Sequence, residues 1–194
     1  MDKKYKLTDE KIKAIDRVLY RIEALRDFGN VKKGDKGGYI EKEENLSHDG
    51  NAWVCNNARV YGNALICDNA WVCNDAWVYG NARICDEAWV YHNAQVYGDA
   101  LVYDDAQVYD NALVYDSAWV YENVQVCDSA KVYGYARVYG NARICNDAQM
   151  YGYVPSMDRV SLPKDAFNGY IEKDSYNHNT DYKYCPDCGH KLNK

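Results

Sequence analysis

No stretch of this chain is apolar for long enough to cross a membrane, and no apolar run stands at its N-terminus as a secretion signal would. The formal charge is −6 over 194 residues and no basic stripe interrupts it, which argues against direct binding to nucleic acid. Of the four histidines only His92 lies between residues 51 and 152, too few for a three-histidine zinc site there. No glycine loop suited to cradling phosphate and no nucleophile–base pair occurs. These absences remove membrane proteins, nucleic-acid binders and most catalytic classes. They place the chain in the cytoplasm, with its thiols expected to be reduced.

What the chain does contain is one six-residue phrase. From Asn51 to Gly152 it recurs seventeen times with no insertion or deletion: NAWVCN, NARVYG, NALICD and so on to DAQMYG. Alanine fills every sixth place from Ala52 to Ala148, with Val124 as the exception, and an aliphatic follows two residues later. A short fixed period means a solenoid, in which each unit buries its apolar face only against its neighbours. Gly, Asn and Asp occupy the turn places, where tight corners need positive φ or local side-chain bonds. Between corners, side chains alternate, so Ala and Val/Ile face inward while Tyr/Cys and the variable residue face outward.

Counted from its aliphatic, the phrase resembles the hexapeptide repeat of left-handed parallel β-helices. That resemblance implies an all-β fold with three hexads per triangular coil, hence about 5.7 coils and roughly 27 Å of rod. The cysteines support coils of eighteen residues. Cys55 and Cys73, Cys67 and Cys85, and Cys127 and Cys145 are each eighteen apart, which puts every repeat cysteine directly above or below another, close enough for a disulfide.

Sorting by eighteens gives three outward faces. One carries Trp53, Trp71 and Trp89, and one is a tyrosine ladder of Tyr61, Tyr79, Tyr97, Tyr115, Tyr133 and Tyr151. The third holds Leu65, Arg83, Leu101, Trp119 and Arg137. Stacked aromatics hold register between strands; alternatively, faces this aromatic mark an interface with a protein partner or with further copies of the chain. The repeat holds 5 basic and 12 acidic residues, with Asp68, Asp86, Glu87, Asp104, Asp105 and Glu122 along one edge. Such an edge is a solvated turn, or else an acidic stripe imitating a nucleic-acid backbone.

Residues 1–50 form an N-terminal cap, residues 51–152 the helix and residues 153–194 a tail. In the cap, Ile12, Ile15, Leu19 and Ile22 fit a helical stripe, with Thr8 at its N-cap and Gly29 beyond its end. Arg17 to Leu25, however, alternates like a strand. The segment through Asp27-Phe28-Gly29, Gly37-Gly38-Tyr39-Ile40-Glu41 and Asn45-Leu46-Ser47 resembles repeat proteins of Gram-positive prophages, which implies strands leading into the first coil. The tail ends in Cys185-Pro-Asp-Cys188-Gly-His190, which resembles one knuckle of a zinc ribbon; with the second knuckle missing, zinc at Cys185, Cys188 and His190, within one chain or shared between chains, stands beside a metal-free remnant as the alternative.

Hexapeptide-repeat acyltransferases, which are trimeric and acetyl-CoA-dependent, make catalysis an alternative. His92, however, occupies a corner place filled elsewhere by Gly, Asp or Asn. The sequence therefore points first to a non-catalytic, phage- or prophage-type β-helix that binds a protein or itself through its Tyr and Trp faces, with inhibition of a host defence system or enzyme as its role. An acyltransferase and an acidic nucleic-acid mimic are the alternatives.

Overall fold

A computed structural model describes residues 3–151. Seventeen short strands, from Trp53–Val54 to Gln149–Tyr151, follow one another at the spacing of the hexads. Each pairs in parallel with the strand eighteen residues away, as Trp53 does with Trp71 and Val54 with Val72. Three sheets result, and together they form an all-β parallel solenoid of about six turns. Among the described residues no helix is long and apolar enough to cross a membrane.

The interior is a column of alanine and β-branched side chains. Ala76, Val78, Ala82, Ile84, Ala88 and Val90 are wholly inaccessible, as are their counterparts up to Ala136, while Ala142 near the end of the rod is only half-buried. Each buried Val or Ile contributes about 1.5–3 kcal/mol by leaving water, and the narrow bore excludes anything much larger. Val124, standing where the other hexads have alanine, is buried completely as well.

Every corner turns on a residue with positive φ. Asn56, Asp68, Asn74, Asp86, His92, Asp104, Asp110, Asp116, Glu122, Asp128 and Asn146 all lie between +55° and +60°. Left-handed backbone costs an ordinary L-residue about 1 kcal/mol or more, and Asn and Asp tolerate it through local hydrogen bonds. At Gly98, where φ is +74°, a Cβ would meet the Asp116 amide nitrogen at 2.8 Å, so this corner has no room for a side chain.

The N-terminal segment is strands. β1 (Tyr5–Ala14) and β2 (Arg17–Ala24) form an antiparallel hairpin, and β2 pairs with β3 (Lys36–Ile40). The helical stripe is therefore absent: Ile15 sits in the hairpin turn with φ +56°, and the Thr8 hydroxyl accepts the Glu10 amide at 3.3 Å inside a strand. β3 then pairs in parallel with Arg59–Val60, so coiling begins before Asn51. Ile40 lies opposite Val60 and Leu46 opposite Ile66, an offset of twenty rather than eighteen. The two additional residues of this first turn fall between Leu46 and Trp53.

Lys4 and Tyr5 anchor the hairpin to the end of the rod. The Tyr5 hydroxyl lies 2.8 Å from the carbonyl oxygens of both Glu43 and Leu46. Lys4, with no exposed surface, donates from Nζ to the carbonyls of Ala52 at 2.9 Å and Asp49 at 3.3 Å. Burial, together with the nearby Arg26 charge, pulls its ammonium down to about 8.

Candidate interaction surfaces

The exact eighteen-residue register places the outward residues of successive coils one above another, and the tyrosines respond by stacking. Along the ladder, ring centroids are 5.0 Å apart for Tyr61–Tyr79, 4.9 Å for Tyr79–Tyr97 and 5.0 Å for Tyr97–Tyr115. Tyr115–Tyr133 follows at 5.0 Å and Tyr133–Tyr151 at 5.5 Å, and interplanar angles along the first four pairs stay between 2° and 6°. Tyr61 is buried against Leu19, Tyr39 and Trp77 beneath the hairpin. Tyr79 to Tyr133 are half-buried, and Tyr151 is exposed. Burial raises the phenols of Tyr79, Tyr97 and Tyr115 above their ordinary range, and phenol neighbours on the ladder push in the same direction.

Two shorter stacks run on the other faces. Tyr103, Tyr121 and Tyr139 are spaced at 4.9 and 5.4 Å, and Tyr91 lies 5.0 Å from Tyr109. Trp119 is half-buried, with the Arg137 guanidinium 4.4 Å above its ring. Trp77, on the tyrosine face, carries Arg59 in the same way at 4.8 Å. The expected interface comprised the tryptophan column, the tyrosine ladder and Trp119; Trp77 and the Tyr103 stack were not part of it, although the spacing of eighteen puts both on the outer surface.

The tryptophan face differs from its expected role. Trp53 is 2% exposed and Trp71 is 7% exposed, so neither offers a docking surface. Phe28 meets Trp53 edge-on at 5.3 Å, Tyr5 does so at 6.4 Å, and Gly37 passes so close that a Cβ there would lie 2.7 Å from the indole. The N-terminal segment, with Tyr5 in β1, Phe28 after β2 and Gly37 in β3, thus covers an outward slot and makes it core. Trp89 remains half-buried, stacked on Trp71 at 5.6 Å.

The acidic edge is a corner, and its carboxylates serve the backbone. Asp86 accepts the Asp104 amide at 3.4 Å, Asp104 the Glu122 amide at 3.1 Å, and Glu122 the Gly140 amide at 2.8 Å. Glu87 accepts from the Asn69 side chain at 2.6 Å, while Asp68 and Asp105 stand exposed. A carboxylate or amide oxygen at a left-handed corner thus satisfies a donor of the next coil, which accounts for the residue type.

Two cysteine pairs are disulfides rather than the expected thiols: Cys55–Cys73 with Cα atoms 4.7 Å apart, and Cys127–Cys145 at 4.6 Å. Cys67 and Cys85 are free. Cys67, Asp68 and Cys85 bring three potential ligand atoms within 4.8 Å of one another. Cys185, Cys188 and His190, the expected zinc ligands, lie outside the described residues.

His92 belongs to the corner between the tryptophan and tyrosine faces. Its Nδ1 is 2.8 Å from the Asp110 carboxylate, one coil on, and its amide donates to the Asn74 side chain at 3.3 Å. An open groove of about 670 Å³ runs along this corner, past Asp75, Asn93, Asp128 and Ser129.

Comparison with known proteins agrees with this architecture. Residues 58–74, 94–106, 106–122 and 136–152 match the family described as YdcK Beta solenoid repeat, less than half of the chain in all. A stretch of 50 residues is 40% identical to the "Uncharacterized acetyltransferase YdcK" of Escherichia coli (strain K12). That stretch covers 25% of this chain and 15% of the relative. The repeat β-helix is thus supported by sequence kinship as well as by the coordinates.

Proposed function

We propose that the chain is a non-catalytic solenoid that binds protein through its tyrosine face. The observation that carries this reading is the ladder itself. Rings held parallel by their neighbours are ordered before any partner arrives, so contact costs them little side-chain entropy. Tyr79 to Tyr133 also keep enough exposed surface to be covered. Coils spaced by ~4.8 Å make this face roughly 24 Å long and on the order of 400 Å² in area, about half of what each side of a stable complex buries. A partner therefore wraps a corner too. The corner leading into this face carries Asp75, Asp110 and Asp128, which suits a partner with basic groups at its rim.

The prophage resemblance of the N-terminal segment supports a bacterial host protein as that partner, and inhibition as the outcome. Mimicry of nucleic acid has less support, since half of the acidic edge, Asp86, Asp104 and Glu122, places its carboxylates on corner amides. The test is Tyr97→Ser combined with Tyr115→Ser. Association, followed by light scattering or with a purified partner, should be lost while the circular dichroism of the rod is retained. Association that survives the double substitution contradicts the reading.

One observation favours acyl transfer as a second reading. The His92–Asp110 contact is the arrangement that orients an imidazole as a general base, and the E. coli relative is named an acetyltransferase. His92→Asn is the suitable probe, because asparagine already occupies the same corner at Asn74 and Asn146. Acetyl-CoA turnover that disappears in this variant would establish the second reading and displace the first.

A further inference from the structure

The three cysteine pairs of the rod are equivalent in register but differ in environment. No member of the two disulfides is more than 9% exposed. Cys67 and Cys85, by contrast, are both half-buried, with their sulfurs 2.6 Å apart. Ile66 pairs with Ile84 beside them, and the Cys67 amide donates to the Ile84 carbonyl at 3.0 Å, so the backbone spacing is that of the bridged pairs. The hydrogen bond from Cys67, with Arg83 nearby, holds the Cys85 thiol below its ordinary range. The same bond, burial and Asp68 hold Cys67 above its own.

We propose that Cys67 and Cys85 are a redox-reactive dithiol that reacts with low-molecular-weight disulfides such as oxidised glutathione and closes into a third cross-coil bridge. The Cys85 thiolate attacks one sulfur of the small disulfide; a Cys85–glutathione bond forms and the other half leaves as a thiolate. Cys67 loses its proton to solvent and attacks the Cys85 sulfur, and the second glutathione leaves as a thiolate. The chain gives up two electrons and two protons, and the small disulfide is reduced to two thiols. No coil has to move, because Cα separations of 4.7 and 4.6 Å already accommodate the other two bridges. The sealed pairs lack the exposure this exchange needs. The pair is thus the accessible thiol chemistry of the rod among the described residues.

The experiment uses the full chain, mildly reduced without denaturant, alkylated before and after exposure to oxidised glutathione and mapped by peptide mass spectrometry. Before oxidation, Cys67 and Cys85 should carry label while Cys55, Cys73, Cys127 and Cys145 do not. Cys85 should react faster than Cys67 at neutral pH, the order expected when the Cys67 hydrogen bond and Arg83 hold its thiol lower. After oxidation both labels should vanish with no glutathione attached, whereas Cys67→Ser should retain one glutathione on Cys85. Persistence of both labels, or of bound glutathione in the unsubstituted chain, overturns the proposal. So does protection by zinc alone without any reaction with oxidised glutathione, which would assign Cys67, Asp68 and Cys85 to a metal instead.

Discussion

The Asp104 carboxylate accepts the backbone amide of Glu122, eighteen residues on, at 3.1 Å, while Asp104 itself has a φ of +55°. The two facts belong together. A corner must be left-handed to turn the chain by one face of the triangle, and the amide it leaves on the next coil needs an acceptor. Short oxygen-bearing side chains meet both demands. Asp104→Asn should therefore be nearly neutral, whereas Asp104→Ala should cost about 1–2 kcal/mol from backbone strain and the lost bond. Urea unfolding followed by circular dichroism distinguishes the two.

Trp53 belongs to the core of the cap. Trp53→Ala should destabilise the chain by about 3–5 kcal/mol and open the β1–β2 hairpin to protease, as expected for deleting a fully buried indole. Trp89→Ala, at a half-buried position, should cost less. Equal effects of the two substitutions on stability and cleavage would contradict the placement of the hairpin over Trp53.

Lys4 makes stability depend on pH in a defined window. Its ammonium is held down to about 8 in the folded chain, against about 10.4 in an unfolded one. Between these values the unfolded chain binds the proton that the folded chain has released, so stability rises with pH, by up to about 3 kcal/mol. The tyrosines act the other way. Their raised phenols keep protons above pH ~10 that the unfolded chain has lost, so stability falls there. Unfolding measured from pH 7 to 11 should show the rise in the native sequence and lose it in Lys4→Met.

Most of the rod was legible in the sequence because a six-residue period leaves no freedom in register. Once Ala52 and Val54 face inward, Tyr61 must stand beneath Tyr79, and it does. The burial of Trp53 was not legible. It depends on Tyr5, Phe28 and Gly37, residues outside the repeat whose position is set by an N-terminal segment with no period of its own. The twenty-residue first turn was hidden for the same reason. The His92–Asp110 contact, in contrast, was available, since the two are separated by one coil. The acidic edge shows the converse: its residues were found, but their work as amide acceptors became visible only with the corner geometry.

Site-specific photo-crosslinking tests the central claim most directly. A benzoyl-phenylalanine placed at Tyr97 or Tyr115 of the chain in bacterial cells should give a discrete protein adduct, and the same group at Asp105, on the opposite corner, should give far less. Adducts of equal yield at all three positions, or none at the tyrosines, would show that the ladder only holds the coils in register and is not where the protein binds.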